Sequence, residues 1–513
     1  MLCLSLLVVG IDTSILNVAL PTLIEDLEAT PAELQWIIDS YVLVFAGLLL
    51  TAGKLGDRYG RKGVMQAGLV VFLLSSIGAS ASASPTALIV WRGIMGIGAA
   101  LVMPATLSIL VNIFTEARER RRAIAYWSLM NAAASFVGPV TGGLLLREFW
   151  WGSCFLVNVP FVSATLVLGH FLVPSSRDPE AARRFDVPGA VLSSLALGAL
   201  LWGVIEGPVK GWGHVAVVGG FVVAALSLVG FVAWELRTPE PMLELRFFRS
   251  GQLKAAVIAM TIATMAMTGA FFLIQQSLQL VKGYTPLAAA LATSGPIVTV
   301  NFLVMPRAPG LTERFGTRWM VATGSGLIAV ASLIIALTTV DSSYLNLFVG
   351  FALMATAFSI FVPASTEAVM TAMPAEKAGG ASAINQMTRQ VGAALGVAMA
   401  GSIAASGYRS GFRAPDTPLP DDVVARGGSS ITDALSAAAT LAGTARDAFL
   451  RAAHEAFLHG VRIAVIGSAV LAAIGAVYAA RAIPPRTGHR DVAADGLDED
   501  LEGLDLDLPD LAH

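Results

Sequence analysis

Charged residues are scarce in this chain. Only 13% of its 513 residues are Asp, Glu, Lys or Arg, where a soluble protein carries about 25%. A water-facing surface of ordinary composition is therefore excluded for most of the molecule. Cysteine is almost absent. Cys3 and Cys154 both fall inside apolar blocks with no Cys-x-x-Cys pair, which argues against a disulfide framework and a thiolate metal centre. No G-x-x-x-x-G-K-S/T loop occurs, which argues against ATP drive. No nucleophile–base or metal-ligand grouping stands within reach in sequence, so the chain is not expected to be an enzyme. No metal, other cofactor or nucleic-acid partner is expected either. A cleavable signal peptide is also missing: the first apolar block has no basic n-region, and Pro21 lies at its far end without an A-x-A-like site. That block is only just long enough to span, so the natural start is expected upstream of Met1.

What the chain has in abundance is apolar sequence, 55% of all residues. It is arranged in blocks of about 20 residues, the length that crosses some 30 Å of hydrocarbon as a helix. The alternating segments of about 10 residues that a membrane barrel needs do not occur. Reading blocks between charged or Pro/Gly-rich breaks gives fourteen candidate spans, from residues 2–23 to 460–481. The lysines and arginines orient them. They gather in the stretches 54–62, 118–122, 177–184, 237–254 and 307–318, at Lys377, and in 481–490. The short loops between hold only Arg147, Lys210 and Lys282. Positive charge marks the cytoplasmic side, which predicts a multi-pass protein of the cytoplasmic membrane with both termini inside.

An internal repeat divides the spans. Leu55-x-Asp57-Arg58-x-Gly60-x-Lys62 follows the second block, and Leu311-x-Glu313-Arg314-x-Gly316-x-Arg318 follows the tenth, 256 residues on. Two related six-helix halves flank an inserted pair, a parallel repeat. The predicted organisation is residues 1–172 for the first half, 173–252 for a linker carrying inserted spans 7 and 8, and 253–481 for the second half. That second half includes an outer segment, 405–459, with a helical pattern through Leu435, Leu441, Phe449 and Phe457. The tail 482–513 is acidic and expected to be disordered.

Four motifs point to one family. The loop Gly53-Lys54-Leu55-Gly56-Asp57-Arg58-Tyr59-Gly60-Arg61-Lys62 lies between spans 2 and 3, and Arg92-Gly93-x-x-Gly96-x-Gly98 lies in span 4. Gly138-Pro139-Val140-Thr141-Gly142-Gly143 lies in span 5, and Asp12 to Pro21 in span 1. Together they resemble the fourteen-span drug:proton antiporter family of the major facilitator superfamily, over nearly the whole chain. Met95 stands where the family usually has glutamine, Ala134 where the longer span 5 pattern begins with glycine, and Pro309 where the second loop copy would carry its leading glycine. The implied architecture is an all-α membrane protein with the major facilitator fold and 14 transmembrane helices.

Physical chemistry assigns these residues tasks. In the first loop Gly53 and Gly60 permit a tight turn and close approach. Asp57 suits the N-terminal end of a neighbouring helix or an arginine across the two halves, a latch with Arg58 and Arg61. Glu313 and Arg314 are the second copy of that gate. A charge inside a span requires a partner or a wet cavity, so Arg92 is expected to meet Asp12 or Asp39. Carboxyl groups drawn away from water are where protonation competes with ionisation, so Asp12, then Asp39, are the candidate proton-coupling carboxylates. Gly138, Pro139, Gly142 and Gly143 resemble the signature of exporters as opposed to importers. Pro139 kinks its span and the glycines admit a close neighbour. Asn17, Tyr41, Phe271, Phe272, Gln275, Gln276, Glu367 and Asn385 are candidate walls of a substrate cavity, with Met267 and Gln279 beside them. Glu206 is placed at the outer lip, and Arg389 resembles a structural arginine of span 13.

The expected function is proton-coupled antiport, exporting lipophilic, often cationic drugs or antibiotics across the cytoplasmic membrane. The partners are the lipid bilayer, a small-molecule substrate and protons, and the expected state is a monomer. A dedicated exporter of one metabolite or self-made antibiotic has the same motifs. A receptor or scaffold without transport has no use for Asp12, Asp39 and Arg92 inside its spans.

Overall fold

The computed structural model describes residues 1–27, 29, 31–174, 186–238, 241, 243, 247–248, 250–339, 342–374, 377–415 and 419–484. Part of the linker between the first half and the inserted pair, and the tail from 485 onward, lie outside the described residues.

Helices make up nearly all of the described chain. The first half consists of α1 (Leu2–Leu27), α2 (Pro31–Tyr59), α3 (Arg61–Ser80), α4 (Pro85–Ile113), α5 (Ala117–Glu148), the single turn α6 (Ser153–Leu156) and α7 (Asn158–Leu172). The inserted pair is α8 (Val187–Lys210) and α9 (Val215–Glu235). The second half holds α10 (Gly251–Leu280), α11 (Pro286–Val304), the short α12 (Ala308–Phe315), α13 (Thr317–Ala336), α14 (Tyr344–Met370) and α15 (Ala378–Gly411), then the short α16 (Asp421–Ser429) and α17 (Ile431–Ala438), and α18 (Gly443–Ala482). Among the described residues 12 helices are long and apolar enough to cross a membrane. The apolar helices α1 and α11 occupy the two remaining expected blocks.

Local chemistry starts and bends these helices. The Ser84 side chain caps α4 by accepting from Ala87 N, with Pro85 in the first turn, and Thr285 does the same for α11 ahead of Pro286. Pro104 in α4 and Pro363 in α14 sit inside the fourth long helix of each half, where each removes a backbone donor and bends its helix. The repeat is visible in the backbone. Gly60 has φ 100° before α3, and its counterpart Gly316 has φ 82° before α13. A side chain is strained in that left-handed region, so glycine serves in both copies.

Within the first half α4 packs on α2 and α3, and α1 packs on α5; in the second, α10 packs on α15 and α13 on α14 and α18. The halves meet along two seams, α2 and α4 against α15, and α5 against α11 and α14. The inserted helix α8 packs on α9 and lies against both α2 and α15, so it spans the first seam from outside. The segment 405–459 differs from its expected form. Residues up to Gly411 continue α15 and those from Gly443 begin α18, so Phe449 and Phe457 are buried core of a long helix, and only α16 and α17 separate the two. The alanine-rich, charge-bearing turns at 443–456 pack one face inward.

Candidate transport core and interdomain latch

Five helices of the first half converge on one buried ion pair. Arg92 of α4 donates from Nη1 to Asp12 Oδ2 at 2.5 Å, with the side chains 1% and 0% exposed. Asn158, the first residue of α7, donates to the other oxygen, Asp12 Oδ1, at 3.1 Å and reaches Ser76 Oγ of α3 at 3.4 Å. Arg92 Nε donates to the Ile37 carbonyl of α2 at 3.1 Å, and its guanidinium lies 4.4 Å from the centre of the Tyr41 ring. Met95 presents its sulfur to Arg92 at 4.0 Å, in the place where an amide was expected. Removing two charges from water is costly, and the set offsets this by giving both carboxylate oxygens a donor and the guanidinium a carboxylate, a carbonyl and an aromatic face. Asn158 had no sequence signal beyond its place after a turn. Tyr41, expected in the substrate wall, lies against the arginine.

Asp39 is half-buried two residues before Tyr41. Of the two carboxylates expected near Arg92, Asp12 forms the ion pair described above.

A second group of charges joins the two halves at one end. Asp57, near the end of α2, accepts from the backbone N–H groups of Gly379 and Gly380 at 3.0 and 3.1 Å, in the first turn of α15. This places a carboxylate at the positive end of a helix in the other half. Arg61 pairs with the same carboxylate at 2.8 Å, and both residues are buried. Gly53 completes the contact: a Cβ there would meet the Gly379 carbonyl oxygen at 2.6 Å and Ala383 Cβ at 2.8 Å. Arg58 stacks on its neighbour Tyr59, 4.9 Å from the ring centre.

The other seam closes at the same end by different chemistry. Glu313 of α12 pairs with Arg121 at 3.4 Å and Arg118 at 3.6 Å, both on α5, and Arg121 also reaches Glu367 of α14 at 3.3 Å. The second copy has Thr317 where the first has Arg61, so Glu313 takes its arginines from across the seam. Arg314 lies over Phe315 and is exposed. Glu367, considered as a cavity residue or inner-gate element, is almost fully buried and faces Arg121 across the seam. The role of Arg121 was missed, since in sequence it is one of four cations in Arg118–Arg122 with nothing to distinguish it.

The span 5 glycines let α1 approach α5 closely. A Cβ on Gly138 would strike Ser14 Oγ and meet the Ile11 carbonyl at 3.0 Å, and one on Gly142 would meet Ile15 Cγ1 at 2.7 Å. Ser14 itself donates to the Ala134 carbonyl at 2.9 Å, locking α1 to α5. Pro139 is buried inside α5 and Gly143 is half-buried. The remaining cavity candidates scatter. Phe271, Phe272, Gln275 and Gln276 are partly exposed on α10, with Gln275 donating to Thr293 of α11 at 2.8 Å. Asn385 is fully buried on α15, and neither side-chain polar atom has a partner among the described residues. The side chain of Asn17 lies outside the described residues.

Two halves, a shared loop signature, a buried ion pair in one and a charged latch between them define the architecture, and comparison identifies it. The family model of the Major Facilitator Superfamily matches residues 2–397. The chain belongs to the major facilitator superfamily. It is 34% identical over 440 residues to the multidrug efflux pump LfrA of Mycolicibacterium smegmatis, covering 86% of each chain. It is 34% identical over 449 residues to the methyl viologen resistance protein SmvA of Salmonella typhimurium, covering 87% of this chain and 89% of that one. To the tetracenomycin C resistance and export protein of Streptomyces glaucescens it is 32% identical over 400 residues, covering 78% and 74%. Among solved structures, the human organic anion transporter MFSD10 shares the fold, with a TM-score of 0.64 at 14% identity over 93% of this chain and 97% of that one. This major facilitator is a multi-span membrane transporter and not an enzyme.

Proposed function

We propose that this major facilitator is a proton-coupled antiporter that exports lipophilic, often cationic drugs or antibiotics across the cytoplasmic membrane. The single observation that carries the mechanism is the fully buried Asp12–Arg92 pair inside the first half. Protonating Asp12 removes its attraction for Arg92, and among the described residues the freed guanidinium keeps Ile37 O, Tyr41 and Met95. A proton at Asp12 therefore changes how α1, α4 and α7 pack, which is the step a proton gradient needs. The relatives, one printed as a multidrug efflux pump and others as resistance proteins, support drugs as the cargo. A dedicated substrate is the second reading, favoured by the relative that exports tetracenomycin C.

The remaining features fit this scheme. Fourteen spans, with α1 and α11 included, put both termini on the cytoplasmic side together with the Asp57 and Glu313 loops. The latch is then the inner gate, held shut by Asp57 at the start of α15 and by Arg121 with Glu313 and Glu367. Opening it requires Asp57 to leave the start of α15, and Arg121 to leave Glu313 and Glu367. The unit of transport is the monomer, since the contacts that join the two halves form within one chain.

Inverted vesicles test the proposal. Adding a lipophilic cation to wild-type vesicles with an imposed proton gradient is expected to discharge that gradient, and Asp12→Asn is expected to abolish the discharge while Asp39→Asn retains it. Drug movement by the wild type that ignores the pH gradient would sink the coupling. Loss in Asp39→Asn with full retention in Asp12→Asn would transfer the role to Asp39.

A further inference from the structure

Four polar residues recur at helical spacing along α15: Ser382, Asn385, Gln386 and Arg389. Residues three and four apart share one face of a helix. The faces on either side are occupied. Gly379 and Ala383 lie against Gly53 of α2 in the other half, while Gly392 and Gly396 lie against Thr264 and Thr268 of α10. The polar stripe runs between these two contacts and so follows the seam between the halves. Ser382, Asn385 and Gln386 are buried. Yet Ser382 Oγ, Asn385 Nδ2 and Oδ1, Gln386 Nε2 and Arg389 Nη1 have no hydrogen-bond partner among the described residues.

Buried polar groups are normally paired, because one left without a partner has given up its bonds to water for nothing. Five such atoms on one helix face mark a place built for a partner that the described chain does not supply. Arg389 sets the chemistry of that partner. It lies about 16 Å along α15 from Ala378, at about 1.5 Å per residue, well inside the span. A charge at such depth requires a counter-charge or a polar cavity. No acidic group of the described residues acts on Arg389. Asp57 and Glu367, at the inner ends of α2 and α14, are engaged by Arg61 and Arg121. The stripe thus offers a guanidinium, two amide NH2 groups and a hydroxyl, and it holds no carboxylate. A guanidinium beside neutral donors matches an oxyanion and repels a cation. We propose that this stripe binds the anionic group of a lipophilic cargo (a carboxylate, sulfonate or phenolate), with Arg389 as its ion-pair partner. The assignment rests on the export reading and widens its cargo to lipophilic anions and zwitterions.

Equilibrium dialysis of the purified full chain in detergent, at neutral pH, tests the site without any gradient. The probes are anthracene-9-carboxylate and its neutral methyl ester. Wild type is expected to prefer the carboxylate by about tenfold or more, the effect of one hydrogen-bonded charge. Arg389→Gln is expected to lose that preference and Arg389→Lys to regain part of it. A preference that survives Arg389→Gln overturns the proposal. Should that variant fail to fold, Gln386→Leu keeps the charge and removes one donor. It is expected to weaken carboxylate binding several-fold, and an unchanged affinity overturns the proposal. Inverted vesicles then separate cargo from a fixed ligand such as a lipid headgroup. Under an imposed proton gradient, wild-type vesicles are expected to accumulate the carboxylate and Arg389→Gln vesicles to lose that accumulation. Wild-type vesicles that move a lipophilic cation but not the carboxylate overturn the cargo role. Vesicles that move neither refute the export reading and leave the dialysis result decisive for the site.

Discussion

Arg92→Ala is expected to destabilise the protein by about 3–5 kcal/mol, the penalty for leaving a buried charge without its partner. Asp12 has no exposure to water and, among the described residues, keeps Asn158 as its donor, so its charge would be left buried without an opposite charge. Loss of the guanidinium also removes the bridge from α1 to the Ile37 carbonyl of α2 and empties the face of Tyr41. Thermal unfolding in detergent measures the effect. The double change Asp12→Asn with Arg92→Met is expected to recover most of the stability, because a buried ion pair contributes little beyond an apolar pair of similar volume, and to recover no proton-coupled transport. Separating stability from coupling in this way shows what the pair is for. If Arg92→Ala unfolds like wild type, the pair is not the buried, mutually dependent unit described here.

Asp57→Ala is expected to open the latch. The change removes the carboxylate that buried Arg61 pairs with and the acceptor of Gly379 N and Gly380 N. A cost of about 3–5 kcal/mol falls on the closed state alone, and since 1.4 kcal/mol is tenfold in population, closed molecules would drop by roughly two to three orders of magnitude. Spin labels at the ends of α2 and α15 should report a longer separation, and drug export should fall in step. Asp57→Asn keeps one oxygen acceptor for the amides and is expected to show a smaller shift of the same sign. Unchanged distances in Asp57→Ala would mean that Arg121, Glu313 and Glu367 close this end unaided.

How much of this was legible beforehand depends on the kind of signal. The latch could be read because it rests on glycine and charge at fixed spacing: Gly53 has to approach another backbone and Gly60 needs a positive φ, and no other residue type meets those needs. The repeat was legible for the same reason. The Asp12–Arg92 pair followed from scarcity, since a lone arginine inside an apolar block requires a partner. Asn158 and Arg121 were not legible. Each is an ordinary residue in an ordinary local pattern, and its role is created by helices that are distant in sequence. Glu367 shows the same limit, for its place on α14 could not tell a substrate contact from a gate contact. In the segment 405–459 the helical pattern through Phe449 and Phe457 was legible, but the inward face of α18 was not, because its packing partners are distant in sequence. Substrate-wall residues were least legible, because aromatic and amide side chains in spans serve packing as often as binding.

The most direct test of the central claim is proton release on drug binding to the purified, detergent-solubilised protein in weak buffer. Antiport through Asp12 requires that drug and proton compete, so adding a lipophilic cation to the wild type at a pH where Asp12 is protonated should release close to one proton per drug bound. Asp12→Asn should bind the drug and release none. Equal proton release from wild type and Asp12→Asn would contradict the account and place the coupling elsewhere.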